Sequence, residues 1–130
     1  MIPLRVRRLT ENDVHEVKEL IDNETAKLTD LNVPFMLTNA IIFVKQYLTY
    51  GAWYNNKLVG AFQLRSDGEV SYLVHKDFRQ QGVATEMLKM AQRVARKEYQ
   101  LNTLYCNVTT DNIPSIRTAE KLGFNVYHGK

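Results

Sequence analysis

Val74-His75-Lys76-Asp77-Phe78-Arg79-Gln80-Gln81-Gly82-Val83-Ala84-Thr85 is the stretch on which the reading of this chain turns. It closes an alternating, strand-like run from Glu69 to His75 and opens an amphipathic helix. From about Val83 to Tyr99, Ala84, Met87, Leu88, Ala91, Val94 and Ala95 recur at helical spacing. Between strand and helix stands Arg79-x-x-Gly82-x-Ala84. A glycine there lets the backbone approach a ligand closely, and the first N–H groups of the helix point outward at its positive dipole end. Such a junction suits a phosphate, to which Arg79 adds a charge-assisted contact.

Upstream, Leu4 to Leu9 begins as a half-buried strand, and Thr10-x-x-Asp13 caps a helix carrying Val14, Val17, Leu20 and Ile21. Residues 22–37 are mixed and polar, with Pro34 breaking any long helix. A second helix is expected from Thr38 to Leu48, stopped by Gly51. Ala52-Trp53-Tyr54 and Leu58 to Leu64 flank Asn55-Asn56-Lys57 as a hairpin, and Ser66-Asp67-Gly68 marks the next turn. Downstream, a strand from Thr103 to Val108 leads to Asp111-Asn112, which caps a short helix ended by Gly123. Phe124 to Tyr127 is the last strand. The expected order is β-α-α-β-β-β-α-β-α-β, an α/β domain whose antiparallel meander leads into a β-α-β crossover.

The whole chain, residues 1–130, is expected to form one domain, since its length supplies a single core. No apolar run is long enough to span a bilayer, and the start lacks an apolar leader, so a cytoplasmic protein is expected. One cysteine excludes an internal disulfide framework, and the three histidines show no metal-ligand spacing, so no metal is expected. Cys106 alternates with Leu104 and Val108, as a core side chain would.

The net charge of +3 does not point to nucleic acid, but it is unevenly spread. Residues 1–37 hold five Lys/Arg against seven Asp/Glu, and residues 38–130 hold twelve against seven. Lys89, Arg93, Arg96 and Lys97 share the helix face opposite the apolar stripe, and Arg5 and Arg7 could extend such a patch. Solvation alone explains a row of this kind; a nucleic acid or an acidic partner is the alternative.

A second segment narrows the choice. Asn112-Ile113-Pro114-Ser115-Ile116-Arg117-Thr118-Ala119-Glu120-Lys121-Leu122-Gly123-Phe124 follows a strand about thirty residues after Gly82. Together the two segments resemble the GNAT family, the GCN5-related N-acetyltransferases, across roughly Leu4 to Phe124. The first resembles the family's Gln/Arg-x-x-Gly-x-Gly/Ala pyrophosphate motif, the second its Asn-x-x-Ala/Ser…Lys-x-Gly-Phe motif.

The resemblance implies a GNAT-like fold with acetyl-CoA bound where two neighbouring parallel strands splay apart. Leu73 and Val74 would pair through their backbones with the pantetheine arm. The backbone N–H groups of Gln81, Gly82, Val83, Ala84 and Thr85 would hold the pyrophosphate, with Arg79 and Gln80 also at the cofactor, and Asn112 and Ser115 would touch the pantetheine or its thiol end. No metal is implied. A primary amine on a small molecule or protein would attack the thioester directly in a ternary complex. Asp22, Glu24 and Asp30 lie in the loop that faces the acceptor in such folds and would suit a cationic amine.

The chain departs from the family where proton transfer occurs. The usual acid tyrosine is replaced by Ala119, and a glutamate used by some members as base is replaced by Asn107. Tyr105 and Tyr127 are the substitute acids, and Glu69 is the substitute base. Loss of the acid also leaves open a non-catalytic acyl-CoA-binding or protein-interaction module. Few residues follow Phe124, so the sheet is expected to be short at that edge, or to be completed there by a second copy as a homodimer.

Overall fold

The computed structural model describes residues 2–29, 31–107 and 113–127, with the backbone alone for 107 and 113–115. Four strands form an antiparallel sheet in the order β1 (Arg5–Arg8), β2 (Leu48–Tyr54), β3 (Lys57–Leu64) and β4 (Val70–Val74). A parallel pair, β5 (Tyr105–Asn107) and β6 (Asn125–Tyr127), continues it. One face carries α1 (Val14–Leu20), α2 (Asn23–Leu28) and α3 (Leu37–Lys45); the other carries α4 (Val83–Tyr99) and α5 (Ile113–Lys121). This is the expected mixed α/β order with one helix more.

Alternation within the strands divides the core between the two faces. Phe62, Leu64, Val70 and Ala52 pack with Met87, Leu88, Ala91 and Ala95 of α4. Trp53, Ala61 and Leu73 turn the other way, onto Val17, Phe43 and Val44 of α1 and α3. Gly60 permits the close seat of α4, because a Cβ there would lie 3.0 Å from Met87 Sδ and 3.1 Å from Val83 Cγ1. Cys106 is completely buried, as its alternation predicts.

Local chemistry sets the joints. Thr10 and Asp13 form the expected capping box: Thr10 Oγ1 accepts from the Asn12 N–H at 3.2 Å, and Asp13 Oδ2 accepts from the Thr10 N–H at 2.8 Å. Asn55 and Asn56 both adopt positive φ, 48° and 67°, which gives a two-residue hairpin turn the twist its strands need.

Three expectations are corrected. Helix α3 ends at Lys45, not Leu48; Tyr47 takes φ 54° and Leu48 pairs with Leu64 as the first residue of β2. Gly51 therefore stops no helix. It sits inside β2, where a Cβ would come within 2.8–2.9 Å of the Leu58, Leu9 and Trp53 side chains. Residues 22–37 contain a helix, α2, whose N-cap is Asp22. Arg7, expected to extend the basic face of α4, points to the opposite side of the sheet. There it forms two 3.0 Å hydrogen bonds with Asp13 and stacks over Trp53, 4.0 Å from the ring centroid.

Candidate active site

Strands β4 and β5 lie side by side in parallel at one bridge, Glu69 to Tyr105, with the Tyr105 N–H donating to Gly68 O at 3.0 Å. Beyond it they share no further ladder pair among the described residues. Which backbone groups face the β5 edge of β4 follows from alternation. Glu69 O accepts from the Arg65 N–H and the His75 N–H donates to Val59 O, both toward β3. Residues 71 and 73 share that direction, so Tyr72 and Val74 present their amides to the open edge. Val74 O accepts there from Arg79 Nε at 3.3 Å. Leu73, expected to pair with a ligand through its backbone, directs that backbone at β3 and offers the edge only its side chain.

A cavity of about 550 Å³ runs along this edge. Its walls include Tyr72, Leu73 and Val74 from β4, Gly82, Val83, Ala84 and Thr85 from the start of α4, and Arg79 and Gln80 from the loop between them. Leu73 belongs to the α1–α3 side of the core, whereas Tyr72 and Val74 pack on the α4–α5 side. The cavity is lined from both: Thr25, Leu28 and Thr29 from the α2 region, Thr118 from α5. It therefore passes through the sheet at the place where the strands part.

At its α4 end, Gly82 takes φ 86° and ψ 3°, a left-handed conformation that favours glycine. The first helical bond of α4 runs from the Glu86 N–H to Gly82 O. The amides of Val83, Ala84 and Thr85 thus have no helical acceptor and point at the cavity end of a 17-residue helix. Helix N-terminal amides of this kind are suited to an anion.

Seven residues expected at a cofactor, Val74, Arg79, Gln80, Gly82, Val83, Ala84 and Thr85, line the cavity, and Leu73 does so through its side chain. Gln81 is turned back to donate from Nε2 to Asp77 O at 3.2 Å. Asn112 and Asp30 lie outside the described residues, as do the side chains of Ser115 and Asn107. Of the acceptor-side acids, Asp22 Oδ1 accepts from the Thr25 N–H at 2.8 Å. That bond, with the nearby Lys76 and Arg79, holds the Asp22 carboxyl below its usual range. Glu24 stands 3.9 Å from Arg79. Both acids meet the cationic loop before α4.

The three groups expected to move protons stand outside the cavity wall. The Tyr105 hydroxyl donates to Asp67 Oδ2 at 3.1 Å, its ring is edge-on to Tyr127 at 5.5 Å, and Glu69 pairs with Arg65 at 3.3 Å. Desolvation, reinforced by Asp67, pushes the Tyr105 phenol up. Sequence reasoning missed Tyr72, Thr118 and the α2 wall. Tyr72 had a usable signal, since it alternates with residues directed at β3, but which edge of the strand stays open is not a local property.

The chain matches the family described as Acetyltransferase (GNAT) family over residues 15–124. It is 31% identical over 61 residues to an N-alpha-acetyltransferase of Saccharolobus solfataricus, a match covering 47% of this chain but only 36% of that relative. Among solved structures it is similar to a ribosomal-protein-alanine N-acetyltransferase from Brucella melitensis biovar Abortus 2308, with TM-score 0.75 and 19% identity over 98% of this chain and 99% of that one. It is also similar to an aminoglycoside acetyltransferase in complex with coenzyme A, with TM-score 0.75 and 15% identity over 93% and 83%. At these identities the likeness to the solved structures is one of fold.

Proposed function

This chain belongs to the GNAT acetyltransferase family, and on that premise we propose that it binds acetyl-CoA along the open edge of β4 and transfers the acetyl group to a primary amine. The observation that carries the reading is the cavity itself, which runs from the outer edge of β4 to the first-turn amides of α4. The amides of Val83, Ala84 and Thr85, with Arg79 beside them, hold the pyrophosphate. The outward backbone groups of Tyr72 and Val74 take the amide-bearing pantetheine arm as a strand takes its neighbour.

Because the cavity crosses the sheet, two substrates can meet in it from opposite faces. The α2 side, with Thr25, Leu28 and Thr29, receives the amine, and the α4–α5 side receives the cofactor. Holding amine and thioester together supplies most of what direct attack requires, since proximity and orientation account for a large share of such barriers. The amine nitrogen bonds to the thioester carbonyl carbon, the carbon–sulfur bond breaks, and the thiolate leaves with a proton taken up.

The test begins with thermal unfolding in the presence of acetyl-CoA. Ligand at about 100 times its Kd adds ~2.7 kcal/mol of stability, a shift of several degrees. CoA release is then followed with N-terminal peptides, a polyamine and an aminoglycoside as acceptors. A shift together with release for one of them is expected. No shift in a cooperatively unfolding protein overturns the reading, and a shift without turnover supports an acyl-CoA-binding module instead.

A further inference from the structure

Ala119, at the family's usual acid position, is completely buried in the core and has no proton to give. Tyr105 and Tyr127 stand outside the cavity wall, with the Tyr105 hydroxyl engaged by Asp67. The lining residues must therefore be asked which of them can protonate a departing thiolate. Thr25, Thr29, Thr85 and Thr118 carry aliphatic hydroxyls, which do not ionise in the accessible range, and arginine guanidinium groups as a class release no proton in proteins. Gln80 and the backbone amides orient groups but release no proton. Tyr72 is the one phenol among the described lining residues.

Its position suits the role. Tyr72 is two residues before Val74 on the edge where the cofactor arm is expected, and its side chain lies on the α4–α5 side of the sheet. Its cross-strand neighbour is Phe62, which is fully buried and stacked on Tyr50 at 5.1 Å. Thr118 of α5 lines the same cavity.

We propose that Tyr72 is the proton donor to the coenzyme A thiolate, filling from β4 the role that Ala119 leaves vacant on α5. This rests on the acetyl-transfer reading above. As the carbon–sulfur bond breaks, the electron pair goes to sulfur, which takes the Tyr72 Oη proton. The new amide nitrogen gives its extra proton to water, and water returns one to the phenolate. Free thiols ionise near ~8.5 and phenols near ~10, so the transfer runs between groups of similar acidity.

The experiment compares the wild type with Tyr72→Phe and Tyr105→Phe in steady-state CoA release across pH. Tyr72→Phe is expected to lower kcat by about 100-fold, the low end of general-acid contributions, while KM for acetyl-CoA stays within about twofold. The alkaline fall in kcat should vanish in Tyr72→Phe and persist in Tyr105→Phe. Site-specific 3-fluorotyrosine at position 72 keeps the hydroxyl and should move that fall to lower pH, which keeps the test open if the phenylalanine variant folds poorly. An unchanged kcat in folded Tyr72→Phe, a pure KM effect, or loss of the alkaline limb in Tyr105→Phe instead overturns the assignment. A wild type that binds acetyl-CoA but acetylates none of the amines overturns it together with the reading it rests on.

Discussion

Glu69 and Tyr105 form the parallel backbone bridge at which the antiparallel sheet meets the β5–β6 pair, and past that bridge the two strands share no further ladder pair among the described residues. A strand edge that lines a cavity directs N–H and C=O groups toward whatever occupies it. Here the gap opens toward Gly82 and the first amides of α4. The same two residues close the gap at its base, with Glu69 tied to Arg65 and the Tyr105 hydroxyl tied to Asp67.

Gly82→Asp should abolish the acetyl-CoA-induced rise in Tm. At φ 86° any side chain is strained, and the added carboxylate would stand at the helix end where phosphate charge is expected. Gly82→Asn brings similar bulk without charge in a residue that enters this conformation more readily, so it should keep part of the rise. A full rise in folded Gly82→Asp would remove the phosphate site from α4.

Asp13→Ala should cost about 1–3 kcal/mol at pH 7, because it removes both a cap and the partner of Arg7. The Arg7 guanidinium holds the Asp13 carboxyl below its ordinary range, with the Thr10 N–H assisting. A carboxyl so lowered stabilises the fold above its unfolded-state pKa, and that stability is lost as pH falls through the folded value. Urea unfolding at pH 7 and pH 3 should show the wild type losing more than Asp13→Ala. Equal losses would show that the pair contributes no pH-dependent stability.

Cys106 should resist thiol reagents. Burial, with a smaller contribution from the Glu69 charge, pushes its thiol up to about 12, and the thiolate is the reactive form. A chromogenic disulfide reagent at pH 8 should label it only in denaturant. Rapid labelling of the folded protein would show that β5 opens readily.

Where periodicity and turn chemistry act within a few residues, the sequence alone came close: the α4 stripe holds from Met87 to Ala95 with Val83, not Ala84, at its start, the hairpin turn is Asn55-Asn56 with Lys57 already in β3, and the Thr10–Asp13 box and the glycine before α4 appear as read. These features depend on neighbours three or four positions away, whose geometry the chain itself imposes. Leu48 follows a helical pattern and joins a strand because Leu64, sixteen residues on, offers it a ladder. Arg7 faces Asp13 and Trp53 because the pleat, not its charge, chooses its side. The open edge of β4, and with it the place of Tyr72, arises from where two strands far apart in the chain stop pairing. Alternation gives a residue's period but not its neighbour, and only the packed sheet decides which side meets water, core or cavity.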